Sequence, residues 1–152
     1  MSHHNAGLFR TVPVRDHLGF FADQMLNARG VADFLELKKE DVAKVAGVAR
    51  ASVRFDHKIP KEVLERLTEI ANICALVAQF FEGDVRKTAL WFRTQNPLLG
   101  NISPRDMIRF GRYIKLQRLV LDALGENPAT LSAGARAREV PHRAAAEATA
   151  AQ

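Results

Sequence analysis

Arg50, Ser52 and Arg54, on alternate positions, are the residues whose types and spacing most directly suggest chemistry. An arginine fork grips a guanine edge with two hydrogen bonds, and a serine hydroxyl serves a phosphate or a base. Before them runs Leu37 to Val48, where Val42 and Val45 anchor a helix, Ala43 suits a close helix crossing, Gly47 permits a tight turn and Val48 fills the corner. This spacing predicts a helix-turn-helix with Ala49 to Phe55 as the recognition helix, able to enter a major groove. Lys44 and Lys58 flank it, and basic residues outnumber acidic ones from Lys38 to Lys61, a modest footprint for duplex DNA. The other reading of the same residues is a packing or dimerisation unit whose basic face is simply solvated.

Signals for catalysis and metal binding are weak. Cys74 is the only cysteine and falls on an apolar helical stripe, where a small core side chain is the expected role. His3 and His4 are adjacent and so do not share a helix face, and no Cys, Asp or Glu cluster joins them. There is no G-x-S-x-G, no glycine-rich phosphate loop and no H-E-x-x-H. The expectation is a protein that is not an enzyme and uses no cofactor or metal.

A second singular stretch is Trp91 to Pro104, W-F-R-T-Q-N-P-L-L-G-N-I-S-P. Asp84 is placed to cap a helix carrying Val85, Ala89, Trp91 and Phe92, and Pro97 ends it by forcing Asn96 out of the α region. Gly100 permits a positive φ, and Ser103-Pro104 reads as an N-cap followed by proline in the first turn of a new helix. The product is a rigid corner between two helices. Trp91, Leu98, Leu99 and Ile102 gather at the bend, either as a local core plug or as a binding surface.

Trp91, Asn96-Pro97, Leu99-Gly100 and Pro104 match W-x4-N-P-x-L-G-x3-P, and in this the chain resembles the toxin-binding domain of the Xre/MbcA/ParS antitoxins. The resemblance covers roughly Val63 to Leu124, and many members carry a helix-turn-helix upstream. It implies an antitoxin that binds a toxin encoded beside it, often one with a RES domain that consumes NAD, and that represses its own operon as a homodimer. After Pro104 the chain departs from the pattern with Arg109-Phe110-Gly111-Arg112-Tyr113-Ile114. The partner-binding set implied is Trp91, Asn96, Pro97, Leu98, Leu99, Gly100 and Pro104, with Arg105, Arg109 and Arg112 on the basic helix that follows. A protein of the same helical plan without a toxin partner, acting as a solitary regulator or a non-DNA interaction module, is the alternative.

The elements expected to position these residues make an all-α protein. Residues 1–12 form an arm and residues 13–61 hold the helix-turn-helix region. Residues 62–124 hold the partner-binding domain, and residues 125–152 form an Ala/Arg-rich tail expected to be disordered. Pro13 starts a helix to about Ala28 with Val14, Leu18, Phe21, Met25 and Leu26 on one face and Gly30 as its stop. Val31 to Leu35 is a short helix. Pro60 opens the longest helix, to about Glu82, with Val63, Leu67, Ile70, Cys74, Val77 and Phe81 in steps of three and four. A final helix runs from Pro104 to about Leu124, where five basic residues alternate with apolar ones.

At 152 residues the chain has room for one domain or two small ones. Its 47% hydrophobic and 26% charged residues are those of a globular protein, and net charge +5 suits a polyanionic partner without requiring one. One cysteine, no apolar run of membrane-spanning length and no secretion signal point to the cytoplasm and away from membranes.

Overall fold

A computed structural model of the protein describes residues 16–125. The expected arm at 1–12, the first positions of the expected N-terminal helix and the tail from 126 lie outside this range.

The helix expected from Pro13 to Ala28 does not form over the described residues. Asp16 instead accepts the backbone N–H groups of Phe20 at 2.8 Å and Phe21 at 3.0 Å, and Gly19 sits at φ +68°. A two-stranded antiparallel hairpin follows, β1 (Phe21–Ala22) and β2 (Met25–Leu26), with Phe21 opposite Leu26. Its turn residues, Asp23 and Gln24, both have positive φ, the requirement of a tight two-residue hairpin. Local side-chain-to-backbone bonding thus overrides an apolar spacing that mimics a helix.

Asn27 then caps α1 (Ala28–Phe34), its side chain accepting the N–H of Gly30 at 2.9 Å. Gly30 is therefore inside the first turn and not a helix stop. A Cβ there would stand 2.7 Å from the Asn27 amide, so glycine makes room for the cap. Glu36 turns the chain at φ +52°, and the Asp41 carboxylate accepts the Lys38 N–H to start α2 (Lys39–Ala46), which Gly47 closes at φ +70°.

The largest departure lies around the residues expected to read DNA. Ala49 to Phe55 is not a helix; only Arg50–Ser52 forms one 3-10 turn (η1), and Val53 is already extended. Asp56 accepts the Lys58 N–H and holds Arg54, and these local bonds offer the backbone an alternative to another helical turn.

The long helix α3 (Lys61–Phe80) forms as its period requires, burying Val63, Leu67, Ile70, Ile73, Cys74 and Val77. After Gly83, α4 (Val85–Arg93) is capped by Asp84 accepting from Lys87 N–H at 3.0 Å. The corner contains a 3-10 turn, η2 (Pro97–Leu99), and Ser103 caps α5 (Pro104–Arg109). The expected continuous last helix is broken in two. Gly111 at φ +78° ends α5, and α6 (Tyr113–Gly125) starts anew. With no atom within 4 Å of a Cβ built at Gly111, backbone freedom and not a close helix crossing explains this glycine.

The result is mostly helical with one small sheet. Helix α3 is the spine: α1, α2, α4 and α6 all pack on it, while α5 bridges α2, α4 and α6. Buried side chains from Phe20 to Ala123 form one hydrophobic cluster that crosses residue 61 without interruption. No helix among the described residues is long and apolar enough to cross a membrane.

Candidate functional site

The corner between α4 and α5 is built by its own polar groups. Asn96 is 2% exposed, and its side-chain oxygen accepts the Leu98 N–H at 2.9 Å. Its backbone carbonyl takes the N–H groups of both Leu99 and Asn101, and its own N–H donates to Ile102 across an isolated antiparallel bridge. Gly100 and Asn101, at φ +70° and +64°, turn the chain so that this bridge can close. Ser103 accepts the Asp106 N–H at 3.0 Å, and Pro104 occupies the first helical position, where no N–H is needed. Asn96, proline and glycine are thus required by geometry in a loop of seven residues.

Beneath the loop lie Trp91 and Leu99, each 4% exposed, and Phe92 at 1%. Trp91 stands edge-on to Phe92, which meets Phe34 of α1, which in turn meets Phe20 beside the hairpin, with ring centroids 5.0, 6.1 and 5.6 Å apart. These edge-to-face contacts tie the corner to the start of the described chain. The indole N–H of Trp91 is buried without a hydrogen-bond partner.

The expected partner-binding residues consequently separate into three groups. Trp91, Asn96, Leu99 and Pro104 are buried and shape the corner. Arg105 and Arg109 are partly buried and are engaged within the fold. Arg105 donates to the carbonyl oxygens of Leu35 and Glu36, which end α1. Arg109 bonds Asp41 of α2 at 3.2 Å and Asp106 at 2.9 Å, and those carboxylates raise the guanidinium pKa further. Arg93 joins them through Glu36 at 2.9 Å. Cations at a helix C-terminus complement its unsatisfied carbonyls and dipole, so α4 and α5 are fastened to the α1–α2 turn. Only Pro97, Leu98, Gly100 and Arg112 remain exposed. Leu98, 48% exposed, is the one large apolar side chain that the corner holds outward.

The residues expected to read DNA are exposed, yet scattered over different structures. Lys44 lies on α2 with its ammonium 5.8 Å from the Phe110 ring centre. Arg50 pairs with Glu40 at 2.6 Å, lowering that carboxyl pKa, and Arg54 grips Asp56, holding its carboxyl at about 2. Ser52 and Lys58 are solvent-facing without a helix to align them. Both arginine pairs are at the surface and therefore weak enough to exchange for phosphate, but no groove-sized helix presents them.

Cys74 is fully buried, and burial pushes its thiol pKa up, away from the reactive thiolate. Among the described residues no three His, Cys, Asp or Glu side chains gather as metal ligands.

No protein-family model matches the chain, and no curated protein or solved structure does either.

The internal arginine fastening is what sequence reasoning missed. Arg105 and its acceptors are 70 and 69 residues apart, and backbone carbonyls leave no mark in a sequence.

Proposed function

We propose that the chain is a non-catalytic, antitoxin-like protein that binds and neutralises a cognate toxin through the outer face of the α4–α5 corner, with Leu98 and Pro97 as the contact. The observation that carries the reading is the placement of Leu98: a half-exposed leucine on a loop whose other members are buried or cross-bonded. A leucine whose backbone is held before binding spares the backbone part of the ordering cost on contact, a property that suits an anchor residue. Resemblance of Trp91, Asn96-Pro97, Leu99-Gly100 and Pro104 to the antitoxin signature supports the same assignment, and a RES-domain protein is the toxin class it favours.

Autoregulation as a DNA-binding homodimer is the finer part of this proposal. Exposure of Lys44, Arg50, Ser52, Arg54 and Lys58 favours it, whereas the single 3-10 turn at Arg50–Ser52 favours phosphate contact over base reading. The second reading is a helical interaction protein without a toxin, in which these basic residues are a solvated face.

Co-expression with the product of the adjacent reading frame tests the proposal. Growth arrest caused by that product is relieved by the wild-type chain and by Arg50→Ala, and not by Leu98→Glu. Relief by Leu98→Glu equal to wild type overturns the contact; absence of any arrest to relieve overturns the antitoxin reading.

A further inference from the structure

A second exposed apolar surface stands apart from the corner, at the joint between α5 and α6. Phe110 and Ile114 flank the Gly111 break and are 47% and 49% exposed. Along α6, Ile114, Arg118 and the partly buried Leu121 follow one another at helical spacing of four and three, so one face carries two apolar side chains with a cation between them. Lys44 reaches over the Phe110 ring from α2, and Arg112 is exposed in the joint itself. None of Lys44, Arg112 and Arg118 is in an ion pair with a described carboxylate, and Asp122 is the single acid of α6.

From this we infer that the α5–α6 joint is a docking surface for an acidic amphipathic segment of another protein, with Phe110 and Ile114 as its apolar floor and Lys44, Arg112 and Arg118 as its charged rim. Charge decides among occupants. A second copy of the chain brings the same cations to a two-fold contact, where they repel. Residues 126–152 hold three arginines (136, 138 and 143) against three glutamates (126, 139 and 147), and so offer no complementary charge. Nucleic acid answers the cations but leaves Ile114 and Leu121 against a polar backbone. A helix with leucine or phenylalanine at three- and four-residue spacing and glutamate or aspartate at its margins meets both requirements.

The test is fluorescence anisotropy of a labelled synthetic helix, leucine on one face and glutamate on the rest, titrated with the full-length protein. Two control peptides replace every glutamate by lysine or every leucine by serine. Binding of the acidic peptide is expected to exceed that of either control by roughly tenfold or more and to weaken with salt. Ile114→Glu and Arg118→Glu are each expected to weaken it by a similar factor, while Leu98→Glu leaves it unchanged, separating this surface from the corner. Phe110→Ser serves as the independent variant, and circular dichroism melting verifies that each variant folds. Equal binding of the three peptides overturns the inference, as does insensitivity to Ile114→Glu and Phe110→Ser. So does Ile114-dependent binding of duplex DNA or phosphatidylglycerol vesicles in place of the peptide, or Ile114-dependent self-association in sedimentation.

Discussion

Replacing Arg105 by alanine separates a structural arginine from a partner-binding one. The side chain is 21% exposed, and its guanidinium donates to the carbonyls of Leu35 and Glu36 at the end of α1. A hydrogen bond involving a charged group contributes roughly 1.5–3 kcal/mol, and a buried acceptor left bare costs about 1–3 kcal/mol. Leu35 is buried, so its carbonyl loses its partner, whereas Glu36 is exposed and water replaces the arginine there. Counting one bond in full and the other at a fraction gives about 2–4 kcal/mol, or roughly 8–16 °C in Tm for a domain of this size. Arg105→Lys keeps the charge but not the two-pronged geometry, and is expected to lose about half as much. Urea denaturation followed by circular dichroism gives both values from midpoints at a shared slope. A loss below about 0.5 kcal/mol for Arg105→Ala refutes the fastening and returns this arginine to the exposed binding set.

Three further outcomes follow from the same geometry. Trp91→Ala is expected to cost roughly 3–5 kcal/mol in urea denaturation, because the indole is core and not surface. Gly100→Ala meets no steric obstacle, so its expected loss of about 1–2 kcal/mol, read in the same assay, measures only the strain of φ +70°. Asp56, held at about 2 by Arg54 and the Lys58 N–H, has a folded pKa below the ordinary 3.8; its stabilising effect is complete above about pH 4 and fades as pH falls toward 2. Asp56→Asn is therefore expected to flatten that part of the stability profile, by a small amount because the pair is exposed, as read from urea midpoints between pH 2 and 5.

Which features were legible depended on how local their causes are. Asp84, Asn96-Pro97, Gly100 and Ser103-Pro104 act within a few residues, so the α4 cap, the corner and the α5 start could be read directly. The α3 stripe is long enough for its period to be unambiguous. By contrast, Leu18, Phe21 and Met25 lie at helical spacing by coincidence, and the Asp16 bonds and the Asp23-Gln24 turn decide the matter. Asn27 with Gly30 three residues later is a helix-start signal, although glycine after an apolar run also fits a helix stop. Gly111 was likewise the visible sign of a break in the last helix, within a run whose apolar and basic spacing otherwise continues on both sides. Arg50 to Arg54 has the composition of a recognition helix, yet only one turn forms before Val53 extends. At the corner, the sequence pattern names these residues together without dividing them by role. Burial shows that Trp91, Asn96, Leu99 and Pro104 build it, that Arg105 and Arg109 fasten it, and that Leu98 faces outward.

The central claim is that the corner is a rigid frame presenting Leu98 to a protein partner. Its most direct test is native co-purification of the full-length protein from its own cells, with Leu98→Glu beside the wild type and both melting temperatures recorded. The account predicts a stoichiometric protein partner that is lost with Leu98→Glu while the melting temperature stays within a few degrees. A partner retained by Leu98→Glu, or a wild-type chain recovered alone, contradicts it.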